Sequence, residues 1–121
     1  MNDHEQIDRQ KALLWLEGDE RMLAKIRDIF MRNVPSQVEQ LRAFLDARDS
    51  GSAERIAHTI MGSSAMLGAS SMSDAAGKIE QSAIQDDMNS AQIHFTSFVG
   101  EYEKVMAELS VKGRNNEYPD C

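Results

Sequence analysis

Residues 57–69 of this chain read AHTIMGSSAMLGA, and this stretch is the most informative guide to the fold. At about 100° per residue of a helix, the apolar and small side chains around it form one stripe, and His58 lies about 160 to 200° away from that stripe. The pattern predicts a helix that points the imidazole of His58 away from the core. The stripe consists of Ile56, Ile60, Ser63, Ser64 and Leu67.

The surface next to His58 is almost free of side chains. Gly62 and Ala65 follow His58 by one and two helical turns, although glycine inside a helix costs about 1 kcal/mol relative to alanine. We interpret this as space for a macromolecule that approaches a nucleophilic histidine, since neutral imidazole keeps a lone pair on one ring nitrogen. Periodicity alone leaves open the alternative that His58 is an ordinary surface histidine.

Length and composition restrict the class of protein. The 121 residues are enough for one domain with a single core, and the formal net charge of −7 argues against nucleic acid and anionic membranes as partners. The first ten residues hold no apolar run, and no stretch approaches the roughly 20 apolar residues of a membrane span, so we expect a cytoplasmic protein without a signal peptide. The one cysteine, Cys121, cannot form an intrachain disulfide and is given no function.

The chain is poor in proline and aromatic residues and rich in helix-forming residues, which predicts an all-α fold. Short loops between long amphipathic segments favour an antiparallel up-and-down four-helix bundle with a short extra N-terminal helix, in a domain of residues 1–112 followed by a polar tail of residues 113–121. Met22, Met72 and Met106 lie at core spacing. The first expected helix is residues 7–17, and the second is capped by Asp19, kinked at Pro35 and ends near Arg48. The third ends at Gly68. The fourth begins with a capping box of Ser71 and Asp74, and the fifth follows a turn at 85–90.

Enzyme and metal signatures are missing from the sequence. There is no Gly-rich phosphate loop, no G-x-S-x-G, no H-E-x-x-H and no paired CxxC. The three histidines are His4, His58 and His94, and none belongs to a Glu-x-x-His pair of the kind that holds metals inside helical bundles. We therefore expect no intrinsic catalysis of the common classes and no bound metal.

The stretch at 57–69 resembles the motif A-H-x-[LI]-K-G-[SA]-[SA]-x-x-[LI]-G-A of histidine-containing phosphotransfer (HPt) domains, and the similarity extends over roughly residues 7 to 110. The resemblance implies a helical bundle in which His58 relays a phosphoryl group between aspartates in multistep two-component signalling. The implied partners are receiver domains of response regulators or hybrid sensor kinases. It also implies a monomer without nucleotide, cofactor or kinase activity of its own, with Mg²⁺ supplied by the receiver.

The resemblance also assigns roles to neighbours of His58. Glu80 would accept a hydrogen bond from the Nδ1–H group and orient the imidazole, while the helical wheel alone leaves open a solvated surface glutamate. Arg55, Met61, Gly62 and Ala65 would face the partner. Met61 departs from the family, which typically has lysine there, and its absence removes a positive charge near the phosphoryl group. Arg55, one turn before His58, is the expected substitute.

Two other classes of protein have features in common with this sequence. A histidine-kinase dimerisation helix usually has an acidic residue directly after the histidine and a proline a few positions later, which Thr59 and Ser63 do not match. An adaptor bundle that binds a receiver without efficient phosphotransfer stays open, because of Met61.

Overall fold

The computed structural model describes the backbone of residues 6–115 and the side chains of residues 6–110. All regular secondary structure in that range is helical, as predicted. His4, Cys121 and residues 116–121 of the expected polar tail lie outside the described residues. Residues 6–115 form five helices, α1 (Arg9–Trp15), α2 (Glu20–Asp46), α3 (Ser50–Leu67), α4 (Ser70–Ile84) and α5 (Met88–Asn115).

Short polar side chains and one glycine determine where the central helices begin and end. The side chain of Asp19 accepts a hydrogen bond from the Met22 amide at 3.0 Å, which confirms the predicted cap of α2. Asp49 caps α3 in the same way, accepting from the Ser52 amide at 3.2 Å. Gly68 ends α3 in the left-handed conformation, with φ 89°, as its position predicted.

The cap at Asp49 carries a pH dependence. Hydrogen bonds from Ser52 lower the pKa of the Asp49 carboxyl, and the positive charge of Arg55 contributes less. A carboxyl whose pKa is lowered by folding stabilises the protein above its unfolded-state pKa. This contribution is therefore complete at neutral pH and is lost as the pH falls through the lowered pKa.

The start of α4 differs from the prediction. Its N-cap is Ala69, which forms no side-chain capping bond, and Ser71 lies inside the first turn, so the predicted capping box is wrong. The reason is the tight turn at Gly68: the amide of Ala69 bonds back to the Ser64 carbonyl at 2.9 Å, and the next helix starts directly after it. The last helix also starts early, at Met88 inside the predicted turn.

Four helices pack in a ring, with α2 on α3, α3 on α4, α4 on α5 and α5 on α2. α2 continues through Pro35, so the proline does not stop the helix, and the kink there stays a prediction.

Met72 is fully buried as expected, whereas Met106 is only half-buried and Met22 is 41 % exposed, so the prediction of Met22 as a core residue is wrong. The largest fully buried side chains are Phe98, Leu41, Leu45, Ile60, Leu67, Met72, Ile79 and Leu109.

The short helix α1 is attached to the end of α3. The amide of Asp8 donates to the Gly68 carbonyl at 2.8 Å. A Cβ at Gly68 would collide with the Asp8 carbonyl oxygen, so glycine is required there both for its positive φ and for this close approach. Of the helices in the described range, none has a stretch long and apolar enough for a membrane crossing.

Candidate functional site

The helix α3 presents His58 to solvent. Its buried side is formed by small and aliphatic residues, and the imidazole lies on the opposite side with 65 % of the side chain exposed, as predicted. Ile56 and Ser63, placed in the apolar stripe by periodicity, are half-buried. The buried residues of α3 are Ala53, Ala57, Ile60, Ser64 and Leu67.

Glu80 of α4 holds one nitrogen of the imidazole. Its Oε2 lies 2.9 Å from His58 Nδ1, and the glutamate side chain is only 13 % exposed, so Glu80 is not a solvated surface residue. A carboxylate only accepts hydrogen bonds, which requires Nδ1 to carry the proton. The neutral ring then has its lone pair on Nε2. No hydrogen bond joins Nε2 to any residue that the structure describes.

The surface beside His58 is open. Gly62 and Ala65 are both exposed on α3, and a Cβ added at Gly62 would meet no atom within 4 Å. The fold therefore does not need glycine at this position for its own packing. The space above Gly62 is available to a molecule that approaches Nε2.

Met61 lies on the side of α3 that faces α4. Its side chain is half-buried and packs against the hydrophobic core. The thioether sulfur lies 3.2 Å from the position that a Cβ of Gly77 would occupy, so Sδ fills the space left open by that glycine. Met61 therefore contacts the neighbouring helix with its side chain, beside the open surface around Gly62.

Arg55 extends toward the beginning of α3. Its Nη2 donates to Ser52 Oγ at 3.2 Å, one turn before Arg55, whereas His58 lies almost one turn after it. The guanidinium is exposed and lies close enough to Asp49 to influence the pKa of that carboxyl. In this conformation the structure does not bring the positive charge of Arg55 to His58.

The sequence interpretation missed two residues that contact Met61 from α4. Ser73 Oγ donates to the Met61 carbonyl at 3.0 Å, and Gly77 makes room for its sulfur. A signal for them is present: Ser73, Gly77 and Glu80 follow the i, i+4, i+7 spacing of one helix face. In the part of the chain that the structure describes, no three His, Cys, Asp or Glu side chains are grouped to hold a metal ion.

Comparison with known proteins agrees with this geometry. A family model described as Hpt domain matches residues 25–110, which include α3, α4 and most of α2 and α5. No curated protein and no solved structure gave a significant match to the chain. Because the family match spans well over half of the 121 residues and contains both His58 and Glu80, the chain belongs to the Hpt domain family.

Proposed function

We propose that this protein carries a phosphoryl group on Nε2 of His58 and relays it between aspartates of receiver domains. Membership of the family implies histidine phosphotransfer in phosphorelay signalling. Hpt domains are phosphocarriers and not kinases, and they interact with receiver domains. The observation that supports the proposal best is the pairing of exposed His58 with half-buried Glu80 at 2.9 Å. The up-and-down bundle, the monomeric state and the cytoplasmic location are part of the same proposal.

The chemistry follows from the tautomer. The Nε2 lone pair attacks the phosphorus of an aspartyl phosphate, an N–P bond forms, the bond from phosphorus to the aspartate oxygen breaks, and the aspartate leaves as a carboxylate. The ring becomes cationic as it bonds to phosphorus, with its proton still on Nδ1. The Glu80 carboxylate stabilises that charge and prevents the ring from turning. Mg²⁺ is supplied by the receiver, since this proposal assigns the chain no cofactor.

The receiver docks on the open surface around His58. Gly62 and Ala65 let the partner backbone approach the imidazole, and Arg55 is exposed where it can meet an acidic side chain of the partner. Small and apolar contacts dominate the core of such interfaces, while charge at the rim mainly sets the rate of encounter.

Two observations favour a second candidate, an adaptor that binds receivers without efficient transfer. Met61 holds a thioether where the family typically has lysine, and Arg55 bonds to Ser52 at the start of α3. The phosphoryl dianion thus has no fixed positive charge from these two residues.

Two phosphoryl donors separate the candidates. Phosphoramidate is small and reports whether His58 is nucleophilic, whereas a panel of phosphorylated receiver domains reports relay. For a carrier we expect acid-labile, base-stable label from both donors. For an adaptor we expect receivers to bind in a pull-down while label from the receivers stays absent, and this result would overturn the carrier proposal.

We expect Glu80→Ala to slow phosphotransfer by about ten- to a hundredfold, because a hydrogen bond to a charged group contributes about 1.5 to 3 kcal/mol. The imidazole should also lose its single tautomer, which ¹⁵N chemical shifts of the ring nitrogens measure. Glu80→Gln is the matched control, since its amide oxygen still accepts a hydrogen bond from Nδ1. It should slow phosphotransfer less than Glu80→Ala does. A ring that keeps its proton on Nδ1 in Glu80→Ala would show that Glu80 does not orient it.

We expect Met61→Lys to speed exchange with a receiver about fivefold, the effect of about 1 kcal/mol of added attraction for the phosphoryl group. The aliphatic stem of lysine can lie over Gly77 as methionine does, with the ammonium reaching solvent. The gain should be larger at low salt, because ions screen exposed charges. Met61→Gln, uncharged and of similar length, is the control.

An unchanged rate and an unchanged salt dependence in Met61→Lys would contradict this prediction. The positive charge would then already come from elsewhere. Arg55→Gln is the variant to measure next, because rotation of its exposed side chain brings the guanidinium nearer to His58.

A further inference from the structure

One face of α4 contacts α3 at three successive positions. Ser73, Gly77 and Glu80 follow each other at i, i+4 and i+7 and therefore share one side of the helix. Glu80 meets His58, and Gly77 meets Met61, so residue numbers rise along one helix where they fall along the other. α3 and α4 are thus antiparallel, and the contacts at Met61 lie about one turn from the contact at His58.

The contact at Ser73 joins the side chain of one helix to the backbone of the other. Its hydroxyl donates to the Met61 carbonyl at 3.0 Å in a partly buried position. A carbonyl oxygen has two lone pairs, so this bond can form in addition to the one inside α3. It restricts sliding of α4 along α3, because a backbone carbonyl cannot change rotamer to follow a moving partner.

The contact at Gly77 places the Met61 side chain directly against the backbone of α4. Met61 Sδ lies 3.2 Å from where a Cβ at Gly77 would be, which is tighter than ordinary van der Waals contact. Glycine weakens the interior of a helix, so its presence here fits a packing requirement. A Cβ at this position would require Met61 Sδ to move by a few tenths of an ångström.

These two contacts lie next to the hydrogen bond between His58 and Glu80, which tolerates little displacement of one helix along the other. The Nδ1 to Oε2 distance of 2.9 Å is ordinary for a hydrogen bond, and displacement by one residue along a helix moves a side chain by about 1.5 Å. His58 is largely exposed, so its own surroundings hold it weakly. The relative position of the two helix backbones must therefore determine whether Glu80 reaches Nδ1.

We propose that Ser73 and Gly77 are positioning residues for phosphotransfer: by holding the backbone and the side chain of Met61, they set the register of α3 and α4 at which Glu80 orients His58. This inference rests on the proposed function, in which Glu80 selects the tautomer that leaves Nε2 free.

The test compares three serine variants. Ser73→Ala removes the bond between helices, and Ser73→Thr retains the hydroxyl. Ser64→Ala is the matched control, because the Ser64 hydroxyl also donates to a carbonyl of α3, that of Ile60 at 2.7 Å, but within the same helix. The first readout is the tautomer of His58 from ¹⁵N chemical shifts of the unphosphorylated protein, and the second is the rate of transfer from a phosphorylated receiver.

We expect Ser73→Ala to mix the two tautomers and to slow transfer about fivefold, the factor expected for one ordinary hydrogen bond. Ser73→Thr should restore both readouts, and Ser64→Ala should leave the tautomer unchanged. Gly77→Ala provides an independent variant, because alanine strengthens the helix; it should disturb the tautomer without any fall in helical content.

An unchanged tautomer in both Ser73→Ala and Gly77→Ala would overturn the proposal, as would equal changes in Ser73→Ala and Ser64→Ala, which would indicate general loosening of the bundle. The tautomer readout needs no phosphate. If the tautomer responds as expected while the wild-type protein accepts no phosphoryl group, the positioning contacts are supported and the proposed function fails.

Discussion

His58→Gln should reduce phosphoryl labelling of the protein to background, from phosphoramidate and from receivers alike. Glutamine has an amide nitrogen without a nucleophilic lone pair, so no N–P bond forms. The side chain at this position is 65 % exposed, so the substitution should leave the helical content and thermal unfolding unchanged. Circular dichroism together with acid-labile ³²P incorporation measures both expectations.

The control for this prediction is His94→Gln. His94 is a half-buried residue of α5, close enough to Asp87 to influence the pKa of that carboxyl. Phe98 and Glu101 follow His94 by one and two turns, where Gly62 and Ala65 follow His58, so His94→Gln should keep full labelling. Label that persists in His58→Gln would move the phosphorylated position to another histidine.

Gly62→Gln should block transfer from receivers by about a hundredfold, because a side chain forced into a packed interface costs up to about 3 kcal/mol. The free protein tolerates the change, since a Cβ at Gly62 meets no atom within 4 Å. Glutamine is the better helix former, so the free energy of unfolding should rise by about 0.5 kcal/mol. Labelling by phosphoramidate should persist, because a small donor does not need the docking surface.

Gly100→Gln is the matched control for Gly62→Gln. Gly100 is also an exposed helical glycine with open space above it, and it lies on α5, which packs against α4 and α2. This variant should gain similar stability and retain full transfer. Normal transfer from receivers in Gly62→Gln would show that the open surface beside His58 is not where the partner docks.

Features that depend on a few neighbouring residues were predictable from the chain alone. The helix cap at Asp19 and the left-handed turn at Gly68 follow from local hydrogen bonding and backbone sterics. The outward direction of His58 follows from helical periodicity, because a buried stripe leaves the opposite side in solvent. The same reasoning predicted the all-helical fold, and the motif around His58 identified the family.

Periodicity does not predict contacts between helices. It gives the direction of a side chain around the axis of its helix, but neither the distance to the next helix nor the register of one helix relative to the other. The partial burial of Glu80, the contact of Met61 with Gly77 and the exposure of Met22 therefore appear only in the packed bundle. The conformation of Arg55, bonded to Ser52, likewise depends on side-chain geometry that a helical wheel does not contain. Packing of α4 against α3 determines the positions of Glu80 and Met61, because only close contact between two helices brings the Glu80 carboxylate within hydrogen-bonding distance of the histidine.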